Sequence, residues 1–275
     1  MRSVRASALL LAAALASCNR TPPTPAAQTS ANALRIVVTD YAFTAPDTVS
    51  AGLTSMMMVN QGKEPHQAVV FRTDSVKTQA EIQTALMSPA IPSWINVPGG
   101  PNGAMPGDSA NTMATLAPGN YWLVCFLTGA DGKPHFMKGM LKSFVVKPAG
   151  APMAMPAGDV TITTKDYAFE VSPAITAGTH TIRMANAGPQ LHEIGVFKLA
   201  PGATMATVQA WMKGGMKGMP PMMPVGGIAG LTMGQTANFT ATFSAGDYLL
   251  LCFVPDTKDG KAHVEHGMML PFKVS

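Results

Sequence analysis

Residues 121–126 read Tyr121-Trp122-Leu123-Val124-Cys125-Phe126, and after a turn-rich interval come His135-Phe136-Met137-Lys138-Gly139-Met140. The pattern returns as Tyr248-Leu249-Leu250-Leu251-Cys252-Phe253 followed by His263-Val264-Glu265-His266-Gly267-Met268. An apolar run of strand length ends on Cys, and a His-x-x-x-Gly-Met segment follows it. Working upstream, Asp40-Tyr41-Ala42-Phe43 recurs as Asp166-Tyr167-Ala168-Phe169, 126 residues later. At the same shift Asn60 meets Asn186, Gly62 meets Gly188, His66 meets His192 and Phe71 meets Phe197. A repeat this long makes two tandem domains, not a solenoid. Within each repeat, short β-branched or alternating runs are separated by Ala-Gly, Pro-Gly and Asn-x-Gly turns, as in Leu34–Thr39 and Asn238–Phe243. That is the pattern of a half-buried strand with period two. Only Val76–Met87 and Ala203–Lys213 carry apolar residues at helical spacing. The expected fold class is all-β: two tandem Greek-key β-sandwiches, each with a short helical insert.

Composition agrees. Of 275 residues, 47% are hydrophobic and 12% charged, with 26 Gly and 23 Pro, too apolar for a disordered chain and too turn-rich for a helical bundle. Without Arg2 and Arg5, which fall in a leader, 17 basic residues face 15 acidic ones. No Lys/Arg cluster is present, which excludes nucleic acid as a partner. Three cysteines are too few for a disulfide-stapled scaffold, so each needs its own account.

The residues shared by the repeats are chemically selective. Each repeat offers a His after an Asn-x-Gly loop, then Cys, His and Met: His66, Cys125, His135, Met140 and His192, Cys252, His263, Met268. Two imidazoles, a thiolate and a thioether are the donor set of a type 1 copper site, soft enough for Cu(I) and compatible with Cu(II). On these residues the chain resembles the cupredoxins, plastocyanin-like proteins in particular. Asn60-Gln61-Gly62-Lys63-Glu64-Pro65-His66 matches that family's Asn-x-Gly-x-x-Pro-His segment, with Leu191 replacing the proline in the second repeat. Tyr121 and Tyr248 stand four residues before each Cys, and both His-x-x-x-Gly-Met ends fit. The resemblance implies one copper per domain, held by these eight residues. It also implies single-electron transfer with redox partner proteins; the expectation of no enzymatic activity rests on the histidine count below. One departure stands out. The family keeps Cys and the second His a few residues apart, whereas here 10 and 11 positions separate them, with Asp131-Gly132 and Asp259-Gly260 turns between. A ribbon closed by such a turn either returns His to the site or draws it away.

Other readings compete. Cys125 and Cys252 are also candidates for inert core thiols. The methionine-rich segment Gly214–Pro224 reads as an irregular loop, either a soft Cu(I) capture surface or an adaptable docking face, so copper trafficking or storage with copper donor and acceptor proteins is an alternative. A metal-free interaction module is a third. Met56-Met57-Met58 reads as strand filling, with alternate residues on opposite faces. A catalytic type 2 or trinuclear copper needs more histidines. Of six, only His180 and His266 are unassigned, His180 reading as surface and His266 as exposed beside the second site, and neither begins a His-x-His pattern.

Residues 1–17 have a basic start (Arg2, Arg5) and a short apolar run, an export signal too short to span a bilayer. Leu15-Ala16-Ser17-Cys18 resembles a bacterial lipobox, making Cys18 the lipidated N-terminus. The expected organisation is a signal peptide at 1–17, a tether at 18–32, domains at 33–147 and 159–275, and a linker at 148–158. The resulting protein is exported and lipid-anchored to the cell envelope, with the outer membrane favoured by Asn19.

Overall fold

The computed structural model describes residues 31–88, 91–149, 153–216 and 218–275. The leader, Cys18 and nearly all of the expected tether lie outside these residues. The first half runs β1 (Asn32–Thr39), β2 (Ala42–Thr44), β3 (Thr48–Ser50), β4 (Gly52–Asn60), β5 (Val69–Thr73), α1 (Gln79–Leu86), β6 (Ile95–Asn96), β7 (Ser109–Leu116), β8 (Gly119–Val124) and β9 (Leu141–Lys147). The second half runs β10 (Val160–Lys165), β11 (Ala168–Ser172), β12 (Gly178–Asn186), β13 (His192–Leu199), α2 (Met205–Lys213), β14 (Met222–Leu231), β15 (Thr236–Phe243), β16 (Gly246–Leu251) and β17 (Met269–Val274). Asn32, placed by the sequence at the end of the tether, already belongs to β1 and pairs with Thr54.

Each half is a sandwich. In the first, β2-β1-β4-β7 face β3-β9-β8-β5-β6; in the second, β11-β10-β12-β15 face β14-β13-β16-β17. The β1–β4 and β10–β12 pairs are parallel, and β4–β7 and β12–β15 antiparallel. Period two does the work the sequence implied. In β1, Leu34, Ile36 and Val38 are buried while Arg35 and Thr39 are exposed. In β4, Met56 and Met58 are buried and Met57 faces out. Both tyrosines fixed by the repeat close a corner: Tyr121 Oη donates to Ala117 O (2.7 Å) and Tyr248 Oη to Ser244 O (2.8 Å). The phenol heads are thereby satisfied inside the core, as burial of a polar tip requires.

The two inserts are helical. Thr78 caps α1 in a reciprocal box with Glu81, and Thr204 caps α2 with Thr207. Two expectations need correction. The methionine-rich stretch is not wholly a loop: Met222 opens β14 and is buried with Val208, Leu249 and Leu251, whereas Met216 and Met219 are exposed. An apolar residue opposite α2 is worth more as core than as surface. His180 is not a bare surface residue either. Its Nδ1 lies 2.7 Å from Asp159 Oδ2 and its side chain is largely covered.

The halves also share structure the sequence did not announce. β7 and β15 pair at Met113–Asn238, joining two four-stranded sheets into one of eight. Asn111 seals the seam, its Nδ2 donating to Thr240 O and its Oδ1 accepting from Thr240 N, both at 2.8 Å. Among the described residues no helix is long and apolar enough to cross a membrane.

Candidate metal centres

The first histidine of each half is placed by its Asn-x-Gly loop. Asn60 Oδ1 accepts from Gly62 N (2.8 Å), and its Nδ2 donates to Glu64 O and Ala104 O (2.9 Å each). Asn186 does the same with Gly188 N, Gln190 O and Leu231 O. The buried amide thus folds the loop so that His66 and His192 point inward. Glycine is required at the third position for space. A Cβ on Gly62 would lie 2.5 Å from Asp40 Oδ1 and 2.9 Å from His66 Nε2, and on Gly188 2.7 Å from His192 Nε2.

The second histidine is returned by the Cys–His ribbon. Thr128 bridges to Pro134 and Pro255 to Ala262, and Gly129 N donates to Lys133 O (3.0 Å). A single 3-10 turn, His135–Lys138 or His263–His266, then ends on Gly139 or Gly267 in the left-handed region, at φ 94° and 93°. His135 N bonds Leu127 O and Phe136 N bonds Cys125 O, so the ribbon is locked to the strand that carries the cysteine. Of the two outcomes open to it, the ribbon closes the site.

The donor atoms converge in both halves. His66, Cys125 and His135 form one buried group, and His192, Cys252 and His263 another, each with its ligand atoms within 4.8 Å. Cys125 Sγ lies 3.4 Å from His135 Nδ1 and 3.9 Å from His66 Nδ1, and the two Nδ1 atoms are 3.1 Å apart. Cys252 Sγ lies 3.4 Å from His263 Nδ1. Met140 and Met268 are fully buried, and their backbone N–H groups donate to His135 O (3.1 Å) and His263 O (2.9 Å).

Outer partners fix the ring orientation. His66 Nε2 faces Asp40 Oδ1 (3.2 Å), His192 Nε2 faces Asp166 Oδ1 (3.0 Å), and His135 Nε2 faces Glu64 Oε2 (2.8 Å). A carboxylate on Nε2 holds the proton there and leaves the Nδ1 lone pair toward the cysteine. Tyr41 and Tyr167 hold positive φ (68° and 62°), and set their ring edges against His135 and His263 at 5.1 and 5.5 Å. Backbone strain in a non-glycine residue, repeated at the same place, marks a constrained site. Here lies what the sequence reading missed. The tetrapeptides at 40–43 and 166–169 were recognised as a repeat, yet Asp40, Tyr41, Asp166 and Tyr167 were given no part in the site.

Each cysteine accepts the backbone N–H of the residue after its first histidine, Gln67 to Cys125 (3.5 Å) and Glu193 to Cys252 (3.4 Å). Both thiols are nonetheless held in the protonated form by burial, which pushes Cys125 up to about 12 and Cys252 further. Burial also lowers His135, His192 and His263, the last to about 4, with the neighbouring His192 contributing. Such a nest is costly as it stands. His192 Nδ1 is buried without a hydrogen-bond partner. These residues would hold a cation through the inward lone pairs, with the cysteine giving up its thiol proton. Metal–ligand bonds of about 2.0–2.3 Å to a shared centre bring donor atoms to the separations seen here.

Each half has a cupredoxin fold. Each is able to hold a type 1 copper.

No family model and no curated relative matches the chain. Among solved structures it is similar to dithionite-reduced auracyanin from Roseiflexus castenholzii, at 19% identity over 43% of this chain and 99% of the other, with a TM-score of 0.32. It is similar to auracyanin A from Chloroflexus aurantiacus, described as a "blue" copper protein, at 16% identity over 42% and 100% of the two chains (TM-score 0.29). The blue copper oxidase from Nitrosomonas europaea aligns at 14% identity over 90% of this chain and 86% of its own (TM-score 0.27). Strand order and donor geometry carry the fold here, since these likenesses are remote.

Among the described residues a third cluster, Asp256, Asp259 and His266, stands beside the second site. Asp256 there accepts from Tyr167 Oη and from Gln190 Nε2 (2.8 Å), and Asp259 Oδ1 lies 3.2 Å from His266 Nε2. His266 is exposed, as the sequence reading had it.

Proposed function

We propose that the protein carries single electrons through two type 1 copper sites, His66, Cys125, His135 and Met140 in the first half and His192, Cys252, His263 and Met268 in the second. One observation carries the reading: in both halves a buried cysteine sulfur and two buried imidazoles converge on one point, the first imidazole of each turned inward by an aspartate. Copper held there supplies a reversible one-electron couple. The protein's own contribution is rigidity and exclusion of water. The cysteine and second histidine are tied to one strand end, the first histidine is fixed by Asn and Asp, and all six are buried. A site so constrained changes little between oxidation states.

Burial favours this over delivery of copper to an acceptor. Exposed Met216 and Met219 near α2 are the feature that speaks for copper trafficking, but they belong to the second half alone. The partners are redox proteins that exchange one electron at a time. The leader and Cys18 place the protein outside the cytoplasm, tethered by lipid to the cell envelope, the outer membrane in a cell that has one. The domain limits read from the sequence belong to the same proposal.

The test is Cu(II) titration of the purified protein with the visible spectrum recorded, beside Cys125→Ser, Cys252→Ser and the double variant. An intense thiolate-to-copper band, halved by each single change and lost in the double, is expected. Copper uptake without such a band overturns the reading.

A further inference from the structure

The segment Val97–Ala104 runs along the second half, where Val97 bonds Thr232, and ends at the first site. At its end, His66 N donates to Ala104 O (3.1 Å) and Ala104 N to His66 O (2.9 Å). In its middle, Pro101 bridges to Ile228 of β14, and Ala229 N donates to Gly100 O (2.8 Å). The packing is as close as backbones allow. A Cβ on Gly100 would sit 2.0 Å from Ala68 O, and one on Gly227 1.9 Å from Ile194 O. The residues that meet there flank the metal centres: Ala68 is two positions past His66, and Ile194 two past His192.

From this arrangement we infer that the crossing segment is the bonded route for electrons between the two sites, with Asn102 as its central link. The inference rests on the type 1 reading above. The route starts at Cys125 Sγ, which accepts from Gln67 N (3.5 Å). One peptide further, Ala68 N donates to Pro101 O (3.0 Å). Pro101 is bonded to Asn102, whose Nδ2 donates to Ile194 O in the second half (3.1 Å). Ile194 is bonded to Glu193, whose N donates to Cys252 Sγ (3.4 Å). Thiol to thiol, the route is covalent apart from four hydrogen bonds. Electronic coupling decays more slowly along bonds and hydrogen bonds than across gaps, so such a chain outcompetes packing contacts beside it.

Asn102 is set for this role. It is buried, and its Oδ1 accepts from Gly103 N (2.8 Å), which fixes the amide with Nδ2 toward Ile194. Its own N donates to Gly227 O (3.4 Å). The route is nearly symmetric: each sulfur is reached through the N–H of the residue after the first histidine. With copper held at both sites, the transfer would move one electron from the Cu(I) held by Cys125, leaving Cu(II), to the Cu(II) held by Cys252, leaving Cu(I). No atom or proton moves, and an outside one-electron donor supplies the electron.

Mere intermediacy in space does not establish coupling, so the test must separate the route from docking of the halves. A second-site marker, Met268→Gln, replaces a thioether by an amide and would shift that site's band and potential; Met140→Gln marks the first site if the other fails to fold. The copper-loaded full chain receives a pulse of a one-electron radical reductant, less than one electron per molecule. The two thiolate bands are then followed at several protein concentrations. We expect a concentration-independent exchange between the bands, slowed at least several-fold by Asn102→Leu and by Asn102→Ala, with band positions and potentials unchanged. Asn111→Ala, which cuts the other seam between the halves, leaves the rate unchanged. Exchange as fast in both Asn102 variants as in the parent overturns the route, as does slowing by Asn111→Ala to the same degree. Two bands with no concentration-independent exchange overturn the route and leave the type 1 reading standing. Absence of the bands removes both.

Discussion

His135 Nε2 lies 2.8 Å from Glu64 Oε2, whereas His263 Nε2, its repeat equivalent, is buried with no hydrogen-bond partner. Repeat alignment puts Gln190 where Glu64 stands, and Gln190 turns instead to Asp256, whose Oδ2 stays 4.0 Å from His263 Nε2. The two sites are otherwise closely matched: each cysteine accepts the backbone N–H of the residue after its first histidine, and each first histidine has an aspartate. A carboxylate on the outer nitrogen makes the imidazole a stronger donor and favours the higher oxidation state. Glu64→Gln, examined with Cys252→Ser so that only the first site binds, should raise its reduction potential and weaken Cu(II) binding by about 10–100-fold. The same change with Cys125→Ser should leave the second site unmoved. Redox titration followed on the thiolate band checks both arms.

The residues that converge in each half were legible in the sequence because repetition marks them. Two histidines, a cysteine and a methionine in the same order twice is a constraint that packing alone does not impose. The strands were legible because alternation is strict wherever one face is buried, as in Leu34, Ile36 and Val38. The outer shell was not. Asp40 lies 26 residues before His66 and meets it only because β1 and β4 lie side by side in parallel. Asn102 was illegible for a different reason: its partner, Ile194 O, is a backbone atom in the other repeat, and backbone acceptors leave no trace in residue identity. Met222 was misplaced because a methionine cluster between glycines and prolines resembles a loop until α2 supplies something to pack against.

Gly62 offers a second prediction. An added methyl meets Asp40 Oδ1 at 2.5 Å and His66 Nε2 at 2.9 Å, both on the contact that orients the ligand. Gly62→Ala should therefore weaken copper binding at the first site and alter its band, with the second site intact. Gly188→Ala should do the reverse. Copper stoichiometry and spectra of the two variants read this directly.

The tyrosine corners are a structural matter apart from copper. Tyr121→Phe leaves Ala117 O without its partner and should destabilise the metal-free protein by about 1 kcal/mol. Tyr248→Phe should cost about the same through Ser244 O, which accepts the phenol in the second half. Denaturant unfolding monitored by circular dichroism measures it, and copper bands at unchanged positions show that the sites survive.

The pH dependence of the metal-free protein sets two buried groups of the second half against each other. His263 is lowered to about 4 by burial and by His192, so between pH 6.5 and 4 the unfolded chain binds the proton that the folded chain refuses. Its stability contribution is full above pH 6.5 and is lost as pH falls through that window. His135 and His192, lowered by burial, act in the same direction. Glu193 has the opposite sign. Burial raises it to about 7, so the folded chain holds a proton that the unfolded one releases, and stability falls as pH rises from 4.5 to 7. With three histidines against one glutamate, the melting temperature should drop on acidification from pH 7 to 4.5. Glu193→Gln, which installs the amide found at Gln67 in the first half, removes the opposing contribution and should make that drop steeper. Melts of both proteins across this range decide it, and a drop no steeper in the variant would mean that Glu193 is ionised in the fold.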